Sequence, residues 1–426
     1  MNIMVIGGGG REHAIIKKLK ENPAVETVWA LPGNGGIARD AVCVPVGAKD
    51  LDGIVEFAKT HPVDYAVVAP DDPLVLGAVD RLTEAGIPCF GPDSRAAIIE
   101  GSKVFSKNLM KKYGIPTADY RVFSDPQEAL YYITKKSEYP IVIKADGLAL
   151  GKGVLIAQDE SEARAAVTSI MVDKAFGASG NQIVVEEFLT GPEVSVLAFT
   201  DGETVKPMVS SMDHKRAADG DTGLNTGGMG TVAPNPCYTE HDAKICMEKI
   251  FLPTIKAMKK EGRTFKGCLY FGLMMTPKGP RVIEYNCRFG DPETQVVLPL
   301  LDTDLLTIMQ AVTEERLAGV DIRWKNESAC CVIMASDGYP GKYQKGFEVT
   351  VDKGWEDCIC YAGVSADGDK ILTSGGRVLG VVRTAPTLKE AVKEAYRASE
   401  HVHFQNAYTR SDIGARALNY LEREKR

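Results

Sequence analysis

Glu284 and Asn286 stand two residues apart in the run Glu284-Tyr285-Asn286-Cys287-Arg288-Phe289-Gly290-Asp291-Pro292-Glu293. Residues 282–285 read as a buried β-strand, and side chains two apart on a strand share a face. The pair thus offers two hard oxygen ligands side by side. That suits Mg²⁺, or Mn²⁺ in its place, with nucleotide phosphates and water filling the rest of the shell. Arg288, Asp291 and Glu293 follow on a turn broken by Gly290 and Pro292. A lone Glu-x-Asn carries no weight and reads as a solvated strand edge. The charges packed beside this one set it apart.

Glycine-rich loops supply the second signal. Residues 7–13, Gly-Gly-Gly-Gly-Arg-Glu-His, join the first expected strand to the first helix. Glycines let backbone amides approach a phosphate, and a helix N-terminus favours the anion. The dinucleotide fingerprint fails here. Its third glycine position holds Glu12, and the second strand ends Ala30-Leu31-Pro32 without an acid for a ribose hydroxyl. A small phosphorylated ligand fits better than NAD, and the plain alternative is a tight βα turn. Residues 32–36 (Pro-Gly-Asn-Gly-Gly) and 70–74 (Pro-Asp-Asp-Pro-Leu) close later strands in the same manner. Three such loops at one edge of a parallel sheet converge on one crevice. Asp71 or Asp72 could accept hydrogen bonds there from ribose hydroxyls or an amine.

Residues 144–153, Lys-Ala-Asp-Gly-Leu-Ala-Leu-Gly-Lys-Gly, lie between two expected strands. This is no Walker A loop, because Asp146 stands at the required glycine and Gly153 at the Ser or Thr. A glycine hairpin can fold over a nucleoside triphosphate as a mobile lid, with Lys144 aimed at the phosphates. The strand end at residues 184–195 offers edge backbone to an adenine ring and Glu193 to ribose hydroxyls. Asp213-His-Lys-Arg216 and the stretch 221–230 follow. The second is long, polar and glycine-rich inside a compact region, as functional loops are.

These residues need elements to hold them. Residues 1–100 alternate strand (3–6, 27–31, 66–68, 88–90) and helix (12–20, 51–59, 74–84), which specifies a doubly wound parallel sheet. A helix at 101–113 follows. From 121 the pattern is α+β, with strands at 121–123, 141–144, 153–157 and 182–186 and helices at 126–134 and 160–170. A mixed unit ends in a helix near 304–315. The last hundred residues carry strands at 329–335, 359–364 and 377–383 and a helix at 388–399. The expected division is 1–100, a linker helix at 101–120, 121–191, 192–325 and 326–426, an α/β and α+β multidomain chain.

At 426 residues, two to four domains are expected. A net charge of −7 argues against a general nucleic-acid or membrane-surface binder. The N-terminus runs straight into a strand, with no signal peptide, and no stretch reaches the roughly 18 apolar residues of a membrane span. Ten cysteines without a Cys-x-x-Cys pair read as buried thiols in a reducing cytoplasm, and six histidines form no metal cluster. Monomer is the default reading.

Together the motifs resemble the ATP-grasp superfamily and, within it, the phosphoribosylamine–glycine ligases, over nearly the whole chain. The resemblance rests on residues 9–13, 32–34, 100–103 (Glu-Gly-Ser-Lys), 143–149, 151–153, 186–188, 213–216, 225–230 and 286–295, with 375–377 and 412–414 in support. It departs at Asp71, where the family usually has glutamate, and at Leu150 and Leu224, where alanine and proline are usual. It implies a central ATP-grasp fold at 121–325, with 121–191 its lid part, a phosphoribosylamine-binding N-terminal domain and a small C-terminal α/β domain. It implies ATP as co-substrate and glycine and 5-phosphoribosylamine as substrates, joined through glycyl phosphate. Glu284 and Asn286 would then hold the metal. Lys103, Lys144, Gly151, Lys152, Gly153, Glu186, Glu187, Phe188 and Glu193 would hold ATP. Gly9, Gly10, Arg11, Glu12, Pro32, Gly33, Asn34, Asp71, Gly290 and Asp291 would hold substrate. Arg288, Asp213 and Lys215 would act at the reacting groups, with Asp213 on the glycine ammonium. A different ATP-grasp ligase would need no ammonium site. A non-catalytic nucleotide-binding regulator should lack the metal ligands or lysines. An NAD-dependent oxidoreductase lacks its fingerprint here.

Overall fold

The computed structural model describes residues 1–136, 138–148 and 153–424. The first hundred residues form a five-stranded, all-parallel sheet in the order Val42–Cys43, Thr27–Pro32, Asn2–Gly7, Tyr65–Val68, Cys89–Phe90. Strand order reverses between Asn2–Gly7 and Tyr65–Val68, so a crevice opens beyond their carboxyl ends. Gly8, Gly9 and Asp71 stand at that switch point. A Cβ on Gly7 would lie 2.9 Å from Pro70 Cγ, so the two loops touch.

The helix expected at 74–84 is two, Asp71–Leu76 and Ala78–Glu84. Gly77, at φ 93°, turns the chain between them. The helix expected from 101 is preceded by another, Ser94–Gly101, capped by Asp93. Ser102 leaves helical geometry and caps Lys103–Tyr113, its hydroxyl accepting the Phe105 N–H at 3.0 Å.

Two antiparallel sheets follow. One orders Tyr120–Phe123, Ile183–Glu187, Ile141–Ala145, Val154–Ala157, with the core-facing side under helices Pro126–Lys135 and Glu160–Val167. The other orders Val205–Pro207, Glu193–Thr200, Gly267–Thr276, Gly279–Asn286 and shares a hydrophobic core with the N-terminal sheet. A third sheet joins Met212–Asp213 and Gly230–Ala233 to Ser328–Ser336, Arg377–Ala385 and Ile359–Tyr361. It runs across the division expected at 325, because Gly230–Ala233, at the end of the glycine-rich stretch, pairs with Ser328–Ser336. That stretch is also less irregular than expected. Its residues Thr222–Asn225 form a two-stranded hairpin with Arg216–Ala218 just before it. The strand expected at 359–364 is likewise two, Ile359–Tyr361 and Val364–Asp367.

Candidate active site

Strand Gly279–Asn286 pairs Leu273 with Val282 but Gly272 with Glu284, leaving Ile283 as a bulge. In a straight strand Ile283 and Glu284 would face opposite ways. Here both line one cavity, of about 700 Å³, with Asn286. Gly272 makes room, since a Cβ there would lie 2.9 Å from Glu284 Cγ. The cavity lies between the two antiparallel sheets. Val142, Val154, Ile156, Met274 and Ile283 supply its apolar walls, with Phe188 and Leu189 beside them.

Four lysines converge on it. Lys144 reaches Glu186 at 3.1 Å and donates to the Ile283 carbonyl at 3.0 Å. Lys107 reaches the other Glu186 oxygen at 2.9 Å and donates to Thr117 at 2.8 Å. Lys103 donates to the Gly147 carbonyl at 2.7 Å. Lys215 lies 3.4 Å from Glu284 and 3.5 Å from Glu193. Burial would raise the Glu284 carboxyl, but the charges of Lys215, Lys144 and Lys103 outweigh it and hold the group below its usual range. Glu284 is thus held ionised, with its oxygens toward the cavity. Asn286 donates its Nδ2 to Glu100 and to the Tyr285 carbonyl, leaving Oδ1 as its remaining donor atom for a metal. Two such oxygens, with phosphates and water, fit Mg²⁺ or Mn²⁺.

A second group of charges surrounds the far end. Arg288 lies 3.1 Å from Glu100 and 3.8 Å from Asp71. Burial opposes its charge, yet those two carboxylates raise its pKa further. Asp72 turns away to Lys49 at 2.6 Å, so Asp71 is the one at the crevice. Burial, then the nearby Glu293 carboxylate, push Asp213 well above the usual carboxylate range. Glu293 accepts from Ser195, which also bonds Tyr270. Asp213, half-buried beside a second carboxylate, favours an arriving cation. Gly228 leaves space here, since a Cβ would lie 2.6 Å from Asp213 Oδ1.

Several expected ligand residues are spent on the fold. Glu12 accepts from Gly9 N at 2.6 Å and pairs with Arg11 at 2.5 Å, so it caps the helix Gly10–Leu19. Asn34 donates to the carbonyls of Gly8, Tyr361 and Ala362 and accepts from Gly36 and Ile37 N–H groups. His13 accepts the Tyr361 N–H at 2.8 Å and pairs with Asp40. These residues clamp the first sheet to the segment around Tyr361. Pro32 and Gly33 carry that turn, with Gly33 N donating to Gly7 O at 3.1 Å, and neither reaches the cavity. Gly9 and Gly10 lie behind it as well, Gly10 packed so that a Cβ would meet Gln295 Nε2 at 2.8 Å. Arg11 does line the cavity. Glu186 is only 4 % exposed between its two lysines, and Glu187 turns to Arg281 at 3.2 Å. Gly290 makes room for Glu293. Gly153 accepts the Ala145 N–H at 2.8 Å. Gly151 and Lys152 lie outside the described residues.

Lys107, Glu100, Glu293 and Arg377, to which the sequence assigned no role, also line the cavity. Lys107 was within reach, since i and i+4 share a helix face with Lys103. Arg377 bonds the Asp291 carboxylate at 3.0 Å and the Gly227 carbonyl at 2.9 Å, so the last hundred residues wall the cavity. His214, inside the Asp-His-Lys-Arg motif, is fully buried. It accepts the Gly414 N–H at 3.1 Å and bonds the Gly230 carbonyl at 2.9 Å. Burial, then Arg416, lower its pKa to about 4. The folded state therefore binds this proton less readily than the unfolded chain, whose histidine titrates near 6.5. Stability from this group is full above about pH 6.5 and is lost as pH falls towards 4, by about 3 kcal/mol in all. Unfolding measured from pH 7 to 4 should show that loss, and His214→Gln should flatten it.

Two facing antiparallel sheets closing on a cavity of lysines and carboxylates, with a parallel α/β domain at one end, define an ATP-grasp protein. The chain belongs to the phosphoribosylglycinamide synthetase family: its N-domain model matches residues 1–100, its ATP-grasp (A) domain model 101–294 and its C-domain model 329–416. The phosphoribosylamine–glycine ligase of Caldanaerobacter subterraneus is 47 % identical over 97 % of this chain and all of its own length. A crystal structure of the Thermotoga maritima phosphoribosylamine–glycine ligase, 36 % identical, superposes with a TM-score of 0.86 over 97 % of this chain and 100 % of that one. The biotin carboxylase domain of the Hydrogenobacter thermophilus 2-oxoglutarate carboxylase shares the fold at 19 % identity, with a TM-score of 0.74 over 96 % of this chain and 91 % of that one.

Proposed function

We propose that the chain ligates glycine to 5-phosphoribosylamine at the expense of ATP, giving glycinamide ribonucleotide, ADP and phosphate, a step of purine biosynthesis. The observation that carries the chemistry is the meeting, in one cavity, of an ionised Glu284, a lysine cluster and the cation-seeking Asp213–Glu293 pair. A carboxylate oxygen is a poor leaving group, so an amine cannot displace it directly. In the first step the glycine carboxylate attacks the γ-phosphorus of ATP and ADP leaves, forming glycyl phosphate. In the second the phosphoribosylamine nitrogen attacks the acyl carbon, phosphate departs, and the nitrogen gives up a proton. Such chemistry asks for positioning and charge neutralisation more than for a covalent residue.

Lys103 and Lys144 neutralise the ATP phosphates, and Lys107 with Glu186 holds Lys144 in place. The apolar walls and Phe188 take the base, with Glu187 close by, and Glu193 the ribose. Gly151, Lys152 and Gly153 are assigned to ATP, shielding the acyl phosphate from water. Glu284 and Asn286 hold the Mg²⁺ or Mn²⁺ that, when bound, neutralises phosphate charge. Asp213, with Glu293, binds the glycine ammonium. Arg288 steadies the transferring phosphoryl group, and Lys215 bridges the two steps. Asp71, Arg11 and Asp291 face the phosphoribosyl group. Behind them the tight turns at Gly9, Gly10 and Gly33 set the crevice wall. We assign the domains at 1–100, 101–120, 121–191, 192–325 and 326–426, with the third sheet fastening the last two. No helix among the described residues is long and apolar enough to cross a membrane. Ten free thiols suit an enzyme of the reducing cytoplasm.

The test is ADP release from MgATP with glycine and phosphoribosylamine, the product identified by mass. ADP formed only when both are present supports the reading, and glycine-independent ADP release would move the acceptor acid elsewhere. Asp213→Asn should raise the glycine KM by about 10- to 100-fold while the ATP KM stays within about twofold, as loss of one charged hydrogen bond dictates. Asp71→Ala should raise the phosphoribosylamine KM about 10-fold and spare that of ATP. Equal rises for both ligands would take Asp71 out of the sugar site.

A further inference from the structure

Glu100 ends the helix Ser94–Gly101, and its side chain reaches the end of the strand that carries Glu284 and Asn286. It is 8 % exposed. Its Oε1 accepts the Asn286 amide Nδ2 at 2.9 Å and the Arg288 guanidinium at 3.1 Å. Its Oε2 accepts the Cys287 backbone N–H at 2.7 Å. The second partner of Asn286 Nδ2 is the Tyr285 carbonyl, at 2.9 Å. Both partners of that amide end are pure acceptors, so the NH₂ must point at them. Turned over, the amide would set its oxygen against two other oxygens and aim an NH₂ at any cation in the cavity.

We propose that Glu100 is a positioning residue: it fixes the Asn286 amide so that the carbonyl oxygen faces the nucleotide cavity, and it aims Arg288 beside it. This gives the Glu-Gly-Ser-Lys segment one physical meaning. Glu100 orders the metal strand. Ser102 breaks the helix and bonds Asp146 at 3.1 Å. Lys103 opens the next helix and donates to the Gly147 carbonyl at 2.7 Å. The role of Glu100 rests on the reading of Asn286 as a metal ligand, so the test separates the two.

The test uses full-length protein saturated with ADP and reads bound Mn²⁺ by electron paramagnetic resonance, with metal-free ADP affinity and thermal unfolding alongside. Glu100→Gln should weaken Mn²⁺ binding by about 10-fold or more, the usual cost of losing a group that orients a metal ligand. Metal-free ADP affinity should stay within about twofold, since Arg288, the other side chain Glu100 holds, is assigned to the γ-phosphoryl group that ADP lacks. In the Asn286→Asp background the same substitution should instead leave Mn²⁺ binding unchanged or strengthen it. There the glutamine NH₂ donates to a carboxylate that Glu100 would repel. If E100Q alone proves unstable, N286D against E100Q/N286D carries the same comparison. An E100Q effect that is absent, or equal in the two backgrounds, overturns the proposal. Unchanged Mn²⁺ binding in Asn286→Ala would instead remove the metal reading beneath it.

Discussion

Glu284→Gln should cut turnover by about 1,000-fold or more while leaving the fold intact. Glutamine keeps the shape and one carbonyl oxygen but loses the charge. At the wild-type site three lysines hold that charge in place against burial. Losing it removes the ionised half of the proposed metal pair, and metal-assisted charge neutralisation is worth several kcal/mol in phosphoryl transfer. The neutral side chain also frees Lys215, 3.4 Å away, from one of its two partners. Steady-state kinetics in Mg²⁺, with ADP binding measured in chelator, separates the effects. Turnover should collapse while metal-free ADP binding persists. Normal turnover would take the metal off this strand.

Glu186→Gln should be the most destabilising single change at the site. Glu186 is the shared counter-charge of two buried lysines, Lys107 at 2.9 Å and Lys144 at 3.1 Å. All three side chains are at most 5 % exposed. Removing one partner of a buried ionic cluster costs about 3–5 kcal/mol, because the remaining charge is left uncompensated. Lys107, which burial has already lowered to about 8, would shed its proton to escape part of that cost. Hydrogen exchange should show protection falling on Ile141–Ala145 and Ile183–Glu187, which pair in register around this cluster. ATP affinity should fall with it. Wild-type protection on both strands would mean the lysines carry no net charge there.

The strand bearing Glu284 and Asn286 and the parallel N-terminal sheet were legible because their signals are local. They rest on side-chain alternation and βαβ rhythm. What escaped is what local pattern cannot encode. The bulge at Ile283, which aims two consecutive residues into one cavity, depends on pairing with Gly272. Asn34 looks like a ligand residue in a glycine-rich loop, yet it and His13 bond the chain at Tyr361 and Ala362, more than 300 residues along. Glu12 reads as a free acid until its helix forms and the Gly9 N–H needs an acceptor. Glu100 and Arg377 reach the site from distant segments, through contacts that only the assembled sheets create. The helix at 74–84 split because Gly77 sits at a left-handed turn, and a glycine in a helical pattern does not announce its φ.

The central claim is that this cavity joins glycine to an amine through an acyl phosphate. Glycine labelled with ¹⁸O in its carboxylate tests it most directly. Attack by that oxygen on the γ-phosphorus, followed by displacement of phosphate by the amine, carries one labelled oxygen into inorganic phosphate at each turnover. Mass spectrometry of the phosphate released in the presence of ATP, metal and phosphoribosylamine should find that single label. Phosphate released without it would contradict glycyl phosphate formation at this site.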